Sequence, residues 1–575
     1  MITCPNCGKQ LADGSSFCDG CGTQLHSYVY CPNCGQPTST EFAFCQNCGA
    51  SMTEDNTVKE TKKKAPNVKK ILGIGVAIIA VILVAAFLLP MILGAGKMPS
   101  YVAYVKDKEL FYTPDGKKKA IQVTTDLSAT YGNAQLAKDG KTMFYFDKME
   151  DGGVLYARNI AKKNSEPIKI YDDVSRYSVA DSGKLVTFLS EDGTLYQHDL
   201  KDRKSIKDDV SSYRVSDDGK KIYFIVAEDE DRDLYEWNGK ESTKIASDVK
   251  SILGISEDFK TIYFSKPIEE EEYNYELYKK VGNKDAEKIA SDVSDSYIYE
   301  KTGEIYYTVE NEQDEDSKAL RSTYTLYYYK NNSPKQIAND VVSEDTYAEE
   351  AAVMIYTSCK DVEVENYDDL EYDYYVVSKD KATAISIKGE EPYSFTINNN
   401  GSKMSYLADQ DKFDEENPDK VRNSVLYTAS ISGGKAGTPE KYDSEVYFGG
   451  YFNDKDIAIY KEYDEEDETI TLYVNKKKID SDMLMSDMDI DFDAKKIVYY
   501  VDYDNEDNEG TLKTATFGGK VTKIADDVCD YTLLPNGKIV YLKDKSSSGK
   551  ADLYITGNNK KVDEDVTDLI HVARD

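Results

Sequence analysis

The sequence predicts a mainly β protein with two small metal-binding units, one membrane-spanning helix and a long region of four-stranded repeats. Three observations support this fold class. Eight of the ten cysteines fall within the first 48 residues in paired spacing, residues 71–93 form an uncharged apolar run, and an Asp-Val dipeptide recurs beyond residue 101. These features divide the 575-residue chain into parts of different chemistry.

The cysteines form two matching sets of four, each built from two Cys-x-x-Cys-Gly turns. The second set follows the first at a shift of 27 residues, which indicates an internal duplication. Two thiolates two residues apart grip one ion, and two such turns complete a tetrahedral site with no open position for water. We therefore predict two structural zinc ions, in residues 1–26 and 27–52. The predicted zinc ligands are Cys4, Cys7, Cys18, Cys21, Cys31, Cys34, Cys45 and Cys48.

The CPNCG and FCxxCG motifs resemble the double zinc ribbons found at the N-termini of many prokaryotic membrane proteins. The resemblance implies a bacterial membrane protein whose ribbons contact nucleic acid or protein. Lys9 is the only Lys or Arg inside the ribbons, which argues against nucleic acid and leaves a cytosolic protein as the expected contact. Residues 53–70 are expected to form a Lys-rich linker beside the membrane.

Residues 71–93 are long enough to cross a hydrocarbon core of about 30 Å as a helix. Six lysines lie between residues 59 and 70, whereas Lys97 stands alone on the near C-terminal side. The positive-inside rule then places the N-terminus in the cytoplasm and residues 101–575 outside the cell membrane. A cleaved signal peptide would lie nearer the N-terminus and be shorter, so we predict an uncleaved single-pass signal-anchor.

The region beyond the predicted helix is strongly acidic. Residues 1–100 contain eight Lys and six Asp or Glu, so residues 101–575 carry a net charge of −36 within the chain's total of −34. Such a surface favours solubility, cations or a basic partner and disfavours nucleic acid. Cys359 and Cys529, the two cysteines of this region, are expected to be buried free thiols.

Residues 101–575 alternate apolar and polar side chains between Asp-Gly and Asn-Gly turns, which predicts antiparallel strands and hairpins. A boundary mark, usually Asp-Val, recurs eleven times between residues 127 and 566 at a mean spacing of about 44 residues. Four strands in that length match one blade of a β-propeller. About 10 to 11 repeats result, and one large ring or two rings with a split near residues 340–390 both fit.

The turn and strand segments LAKDGKTMFYF, VSDDGKKIYFI and LLPNGKIVYL resemble the WD-like repeats of TolB-type β-propellers. The C-terminal segment TDLIHVARD reads as a first strand, while residues 101–126 supply three. The two termini are therefore expected to share one blade, which removes exposed sheet edges. Up-and-down strands would also place the acidic loops and the Asp-Val links at one end of the blades, and tight turns at the other.

Catalytic signatures are scarce. The chain has three His, at positions 26, 198 and 571, and no G-x-S-x-G motif, so no enzyme activity is predicted. The expected function is that of a membrane-anchored binding protein that displays an acidic propeller to a protein or cell-envelope ligand, with zinc ribbons in the cytoplasm. A transmembrane signalling or assembly scaffold that works through the ribbons uses the same parts and stays open, and a propeller hydrolase is the weakest alternative.

Overall fold

The computed structural model describes residues 100–570 apart from eight gaps, together with four short strands before residue 100. Met1–Leu93 and Gly94–Asp575 are two compact units. In the part of the chain that the structure describes, no helix has the length and apolar character needed to cross a bilayer. The predicted helix at 71–93 and the eight predicted zinc ligands lie outside the described residues. The gaps are 125–133, 148–152, 163, 229–230, 269–270, 313–317, 413–420 and 559.

The N-terminal unit contains two antiparallel hairpins. Ile2 is paired with Leu11, and Tyr28 is paired with Ser39. In sequence, the two strands of each hairpin flank the first Cys-x-x-Cys pair of one predicted ribbon. The spacing between the two hairpins is close to the 27-residue spacing between the two cysteine sets. The strands are β1 (Ile2–Thr3), β2 (Gln10–Leu11), β3 (Tyr28–Tyr30) and β4 (Pro37–Ser39).

The second unit begins with four-stranded antiparallel sheets, which we call blades 1 to 4. In blade 1 the C-terminal strand joins the sheet edge beside the first strand of the unit, because Leu569 pairs with Tyr104. The predicted sharing of one blade by the two termini is therefore confirmed. Blade 1 contains β5 (Val102–Lys106), β6 (Glu109–Thr113), β7 (Ile121–Gln122) and β45 (Asp568–Leu569). Blade 2 contains β8 (Ala134–Leu136), β9 (Thr142–Asp147), β10 (Val154–Asn159) and β11 (Ile168–Tyr171). Blade 3 contains β12 (Val174–Val179), β13 (Val186–Ser190), β14 (Leu195–His198) and β15 (Arg203–Lys207), and blade 4 contains β16 (Val210–Val215), β17 (Ile222–Glu228), β18 (Asp231–Trp237) and β19 (Ser242–Ala246).

Blades 5 to 7 share long strands, each of which ends one blade and begins the next. The strand Glu287–Tyr299, for example, pairs with the preceding strand up to Val293 and with the following strand from Val293 onward. Blades 5 to 7 comprise β20 (Ser251–Ile255), β21 (Thr261–Ile268), β22 (Glu271–Val281), β23 (Glu287–Tyr299), β24 (Glu304–Glu310), β25 (Tyr324–Lys330), β26 (Ser333–Tyr347), β27 (Val353–Ser358), β28 (Asp373–Ser378) and β29 (Lys381–Ala384). A short 3-10 helix spans Tyr367–Asp369.

Blade 8 has five strands, and blades 9 to 11 again share long strands. Blade 8 contains β30 (Tyr393–Ile397), β31 (Lys403–Ala408), β32 (Ser424–Ser432), β33 (Lys435–Ala436) and β34 (Glu440–Val446). Blades 9 to 11 comprise β35 (Phe448–Phe452), β36 (Ile457–Asp464), β37 (Thr469–Val474), β38 (Lys477–Asp491), β39 (Lys496–Asp504), β40 (Glu509–Thr516), β41 (Val521–Leu533), β42 (Ile539–Lys543), β43 (Ala551–Ile555) and β44 (Asp563–Val566).

Apolar clusters join the eleven described blades into one closed, propeller-like series. Each consecutive pair shares a cluster, such as Phe144 with Phe188 between blades 2 and 3, and Leu426 with Ile457 between blades 8 and 9. The cluster around Tyr104 contains residues of blades 11, 1 and 2 and closes the series. The clusters also continue without interruption through residues 340–390. Burial of large apolar and aromatic side chains between sheets is therefore the main stabilising contribution.

The first strand of each blade lies on the inside of the series. First strands of neighbouring blades contact each other directly: the Arg176 guanidinium donates a hydrogen bond to the Ser211 carbonyl at 2.9 Å. The turn that follows continues the contact, since the Asp181 amide donates to the Asp217 carbonyl at 2.8 Å. The fourth strand of blade 3, Arg203–Lys207, has three exposed residues at its start. This arrangement leaves the inner strands to line the middle and the loops to form two ends.

The recurring boundary mark has the same backbone conformation at eight of its positions. Its acidic residue takes a left-handed backbone conformation, with φ between 53° and 58°, at eight of the links. The apolar residue that follows is at most 3% exposed in each of these links. Asp and Asn adopt this conformation more readily than other non-glycine residues. The eight residues are Asp173, Asp209, Asp248, Asp292, Glu445, Asp482, Asp527 and Asp565.

The left-handed residue reverses the chain from the outer strand of one blade to the inner strand of the next. At Asp209 the carbonyl accepts a hydrogen bond from the Ala227 amide at 2.8 Å, while Val210 enters the core beside Phe224. A bulge follows at once, because Val210 to Ser212 lie opposite Val226 to Ile225. The link therefore combines a turn, a core anchor and a bulge.

We expect Asp209→Val to destabilise the protein, because a β-branched residue at φ 58° costs about 1–2 kcal/mol. Asp208→Val, which removes the same charge one residue earlier at a position without positive φ, is the matched control and should cost much less. Asp209→Gly should be close to neutral, since glycine accepts this conformation. Denaturant unfolding measures all three; equal losses for Asp208→Val and Asp209→Val would contradict the backbone explanation.

Candidate binding surfaces

The acidic loops all connect the second strand of a blade to its third. β17 ends at Glu228 and β18 begins at Asp231, and the loop between β36 and β37 spans residues 465–468. Strand order places these loops at the same end of the blades as the links between blades, as the sequence predicted. We call this end the acidic end. Its acidic segments are 228–233, 269–272, 311–316, 414–419, 463–468 and 502–509, of which several residues fall in the gaps.

The carboxylates at the two ends have different partners. At the opposite end, turn carboxylates pair with a Lys two residues later: Asp218 lies 2.9 Å from Lys220, and Asp258 lies 2.8 Å from Lys260. The Lys260 side chain, with Ser256 and a backbone amide, lowers the pKa of Asp258 to about 2. Within the described residues, no salt bridge joins the acids of 464–468 or 504–509 to a Lys or Arg. In segment 228–233, by contrast, Lys207 lies 3.9 Å from Glu228 and Lys244 lies 2.6 Å from Asp233. The weaker local neutralisation is therefore a property of segments 464–468 and 504–509.

The turns of the opposite end explain the repeated Asp-Gly and Asn-Gly signature. The Asp139 carboxylate accepts the Lys141 amide at 2.8 Å, and the Asn536 side chain accepts the Lys538 amide at 3.1 Å. The side chain thus closes a turn on its own backbone, and the Gly that follows takes positive φ, as Gly537 does at 77°. This end consists of compact turns with little room for a large ligand.

A pair of half-buried carboxylates lies on the inner strand of blade 7. Glu344 accepts a hydrogen bond from the Tyr347 hydroxyl, and Asp345 accepts one from the Thr357 hydroxyl at 2.8 Å. Burial raises the pKa of the Glu344 carboxyl, and the negative charge of Asp295 on the neighbouring inner strand adds to the increase. Burial also raises the pKa of Asp345. The inner strands of blades 6 and 7 therefore hold acids that favour a proton or a cation.

A shallow groove lies beside an insertion at the acidic end of blade 7. Residues 359–372 pack on the preceding loop, where the Tyr367 hydroxyl donates to the Leu320 carbonyl at 3.2 Å. Tyr367 is 65% exposed. The groove lies beside the link to blade 8 and has a volume of about 430 Å³. Its lining combines aromatic, aliphatic and acidic side chains: Tyr372, Asp373, Tyr374, Ile385, Ile387, Glu391 and Pro392.

The His and Cys residues of the region 101–575 that the structure describes occupy structural positions. His198 ends the third strand of blade 3; it is 6% exposed, its Nδ1 accepts a hydrogen bond from the Leu200 amide, and burial lowers its pKa. His571 lies outside the described residues. Cys359 and Cys529 are free thiols as predicted, but Cys529 is only half-buried. No group of three or more His, Cys, Asp or Glu within the described ranges is arranged to hold a metal ion.

Comparison with known proteins supports the two parts separately. Residues 4–49 match the family model described as double zinc ribbon, and this range contains all eight predicted zinc ligands. No curated protein sequence matches the chain.

Solved structures that resemble the chain have low similarity. A eukaryotic initiation factor matches at 9% identity with a TM-score of 0.35, over 67% of this chain and 96% of its own length. The β-propeller domain of the trilobed protease from Pyrococcus furiosus matches at 14% identity and TM-score 0.26, over 52% and 94%. The tricorn protease matches at 13% identity and TM-score 0.28, over 81% of this chain and 46% of its own length. Because these TM-scores lie below 0.5, the strand pairing and shared clusters alone support the propeller-like description.

Glu344→Gln should change the pH dependence of stability. A folded-state pKa above that of the unfolded chain stabilises the wild type at low pH, and this contribution is lost as pH rises through the folded pKa. The variant should therefore gain unfolding free energy relative to wild type between about pH 4.5 and pH 7. Denaturant titration at both pH values measures the difference, with Glu350→Gln, at an exposed position of the next turn, as control. A pH-independent difference would contradict the assignment.

Proposed function

We propose that the protein is a single-pass membrane-anchored binding protein. Its propeller-like region stands outside the cell membrane and presents the acidic end to a basic protein or cell-envelope ligand. The double zinc ribbons lie in the cytoplasm and hold two structural zinc ions. The observation that carries the proposal is the gathering of the acidic loops at one end of a closed series of blades.

The physical case for binding rests on unequal charge. Among the described residues, the acids of 464–468 and 504–509 at the acidic end form no ion pair with a Lys or Arg, whereas Asp218 and Asp258 at the opposite end each pair with a Lys. A surface of one sign attracts an oppositely charged partner and raises the rate of encounter. Loops held by a rigid series of sheets are also the usual position of binding residues.

Membrane anchoring rests on residues 71–93 and their lysine-rich N-terminal flank. The anchor places the residues before 71 and residues 101–575 in different compartments, so the acidic end meets only extracytoplasmic partners. The match of residues 4–49 to double zinc ribbons supports zinc binding in the cytoplasmic part. We propose binding and not catalysis, since the chain offers few residues typical of catalysis.

The acidic end should retain a partner in a salt-dependent manner. Tagged full-length protein, solubilised in mild detergent, is used to capture proteins and polymers from cell-envelope extract at about 0.05 M and 0.5 M salt, because screening over this range weakens surface charge attraction. We expect a defined species at low salt and its loss at high salt. Addition of a chelator shows whether a cation bridges the contact.

Matched variants locate the contact. Glu465→Gln/Glu466→Gln/Asp467→Asn removes three charges from an exposed loop of the acidic end. Asp217→Asn/Asp218→Asn/Glu257→Gln removes three charges from exposed turns of the opposite end. We expect only the first triple variant to lose retention, by about threefold or more, since charge at the contact controls the salt-dependent association. Equal retention by both variants, or no retained species, would contradict the proposal.

Metal analysis tests the cytoplasmic part. Purified full-length protein should contain about two zinc ions per chain, and Cys31→Ser/Cys34→Ser should contain about one, because each four-thiolate set binds a single ion. Plasma emission spectrometry measures zinc per chain, and Cys359→Ser is the control that should leave the zinc content unchanged. A zinc content of two ions per chain in Cys31→Ser/Cys34→Ser would contradict the ligand assignment.

A further inference from the structure

Blade 10 differs from the other blades at the start of its first strand. From Met483 to Met488 the strand advances five residues while its partner passes only from Val501 to Tyr499. The corresponding bulge of blade 3 is much smaller, with Val174 to Arg176 opposite Ser190 to Leu189. Large bulges redirect side chains and are frequent beside binding sites. The segment 484–487 is therefore a local feature that the repeat does not require.

Tyr500 lies opposite this bulge with an unsatisfied hydroxyl. Its side chain is 1% exposed, and the hydroxyl oxygen has no hydrogen-bond partner among the described residues. The buried Tyr306 hydroxyl, for comparison, lies 3.0 Å from the carbonyls of Ala352 and Lys379 and can donate its proton to either. An unpaired buried hydroxyl is costly, so its presence needs an explanation.

Two further aromatic rings pack around Tyr500. The ring of Tyr503 lies 5.2 Å from it, and the ring of Tyr531, on the first strand of blade 11, lies 5.3 Å away in an edge-to-face arrangement. Gly510 makes this packing fit, since a Cβ there would come within 2.8 Å of the Tyr503 ring and 3.1 Å of the Tyr500 ring. The three rings provide polarizable aromatic surface around the unsatisfied hydroxyl.

Carboxylates from two blades approach the same tyrosine. Asp487 belongs to the bulge and is exposed, while Asp530 begins the inner strand of blade 11 and is half-buried. Burial raises the pKa of Tyr500, and the charges of Asp487 and then Asp530 raise it further. The Tyr531 hydroxyl lies 3.5 Å from the Asp487 carbonyl, which ties the bulge to the aromatic group. The bulge side of the site is therefore exposed and negatively charged at Asp487, while the Tyr500 hydroxyl lies buried beneath it.

These features select the class of ligand. An anion is repelled by the carboxylates, and no described group of His, Cys, Asp or Glu is arranged for a metal ion. A group with N–H donors and positive charge offers a hydrogen bond to the phenol oxygen, charge to the carboxylates and cation–π contact to the rings. We propose that the bulge of blade 10 and the neighbouring strand of blade 11 bind one ammonium or guanidinium group through Tyr500, Asp487 and Asp530. This site adjoins the acidic end, because the bulge follows the link at Asp482 and Tyr503 belongs to the acidic segment 502–509.

Calorimetric titration of purified full-length protein tests the site. The probes are butylammonium and propylguanidinium, which carry the head groups of Lys and Arg, with calcium at matched ionic strength as comparison. We expect saturable binding of at least one organic probe and weaker binding of calcium. Tyr500→Phe should weaken the affinity for the organic probe by about tenfold or more, because a hydrogen bond to a charged group is lost. Asp487→Asn should weaken it similarly.

Two control variants separate the site from the general field of the protein. Asp507→Asn removes one charge from the exposed loop of the same blade, and Tyr554→Phe removes a hydroxyl from a half-buried ring in blade 11. Both should bind the probes like wild type, and thermal unfolding confirms that each variant is folded. Absence of saturable binding, or equal losses in Asp487→Asn and Asp507→Asn, would overturn the proposal.

A Lys-rich peptide distinguishes the two sources of the positively charged group, which are a side chain of a protein partner and a free amine. Displacement of the peptide by butylammonium, with loss of peptide binding in Tyr500→Phe, identifies a side chain of a protein partner. Probe binding without peptide binding identifies a free amine. Either result supports the site, and both are independent of whether envelope extract yields a partner for the acidic end.

Discussion

The pairing of the C-terminal strand with blade 1 is the constraint on which the rest of the region depends. Thr567 and Ile570 donate backbone hydrogen bonds to Val105 and Ala103 at 2.9 and 3.0 Å, and the Lys106 ammonium lies 3.2 Å from Asp563 of blade 11. Without this pairing, blade 1 would lack its inner strand, and the apolar cluster that joins blades 11, 1 and 2 would be open to water. Closure therefore fixes the order of all eleven described blades and the direction of their two ends.

Repetition of one link places the long acidic loops at one end of the blades and the tight turns at the other. Each left-handed acidic residue returns the chain to the inside, so every second-to-third loop emerges beside the links. These loops tolerate insertions because they pack only on themselves or on their neighbours, as residues 359–372 do. Turns at the opposite end are held by side-chain hydrogen bonds and stay short. The acidic loops of variable length are thus confined to one end, where they form a charged surface and leave the apolar clusters undisturbed.

Much of this architecture was predictable from local sequence. The Asp-Val marks, the Asp-Gly turns and the closing strand follow from side-chain chemistry within a few residues, and the structure confirms them. The number of rings was not predictable, because it depends on which apolar faces meet between distant segments. The bulge that holds Asp487 opposite Tyr500 was equally hidden: a bulge is defined by register with a partner strand, and SDMDID reads as an ordinary acidic stretch. The unsatisfied hydroxyl of Tyr500 is a property of its surroundings, and one tyrosine among 47 carries no mark in sequence.

Hydrogen exchange at the C-terminal strand tests closure most directly. Chain termini usually fray and exchange at rates close to those of an unfolded peptide. If the series is closed, the amides of Thr567 and Ile570 should be protected to a degree comparable with inner-strand amides such as those of blade 3, under native conditions and in the full-length protein. Exchange of both amides at free-peptide rates, with the inner strands still protected, would show that the strand does not close blade 1 and would contradict the account.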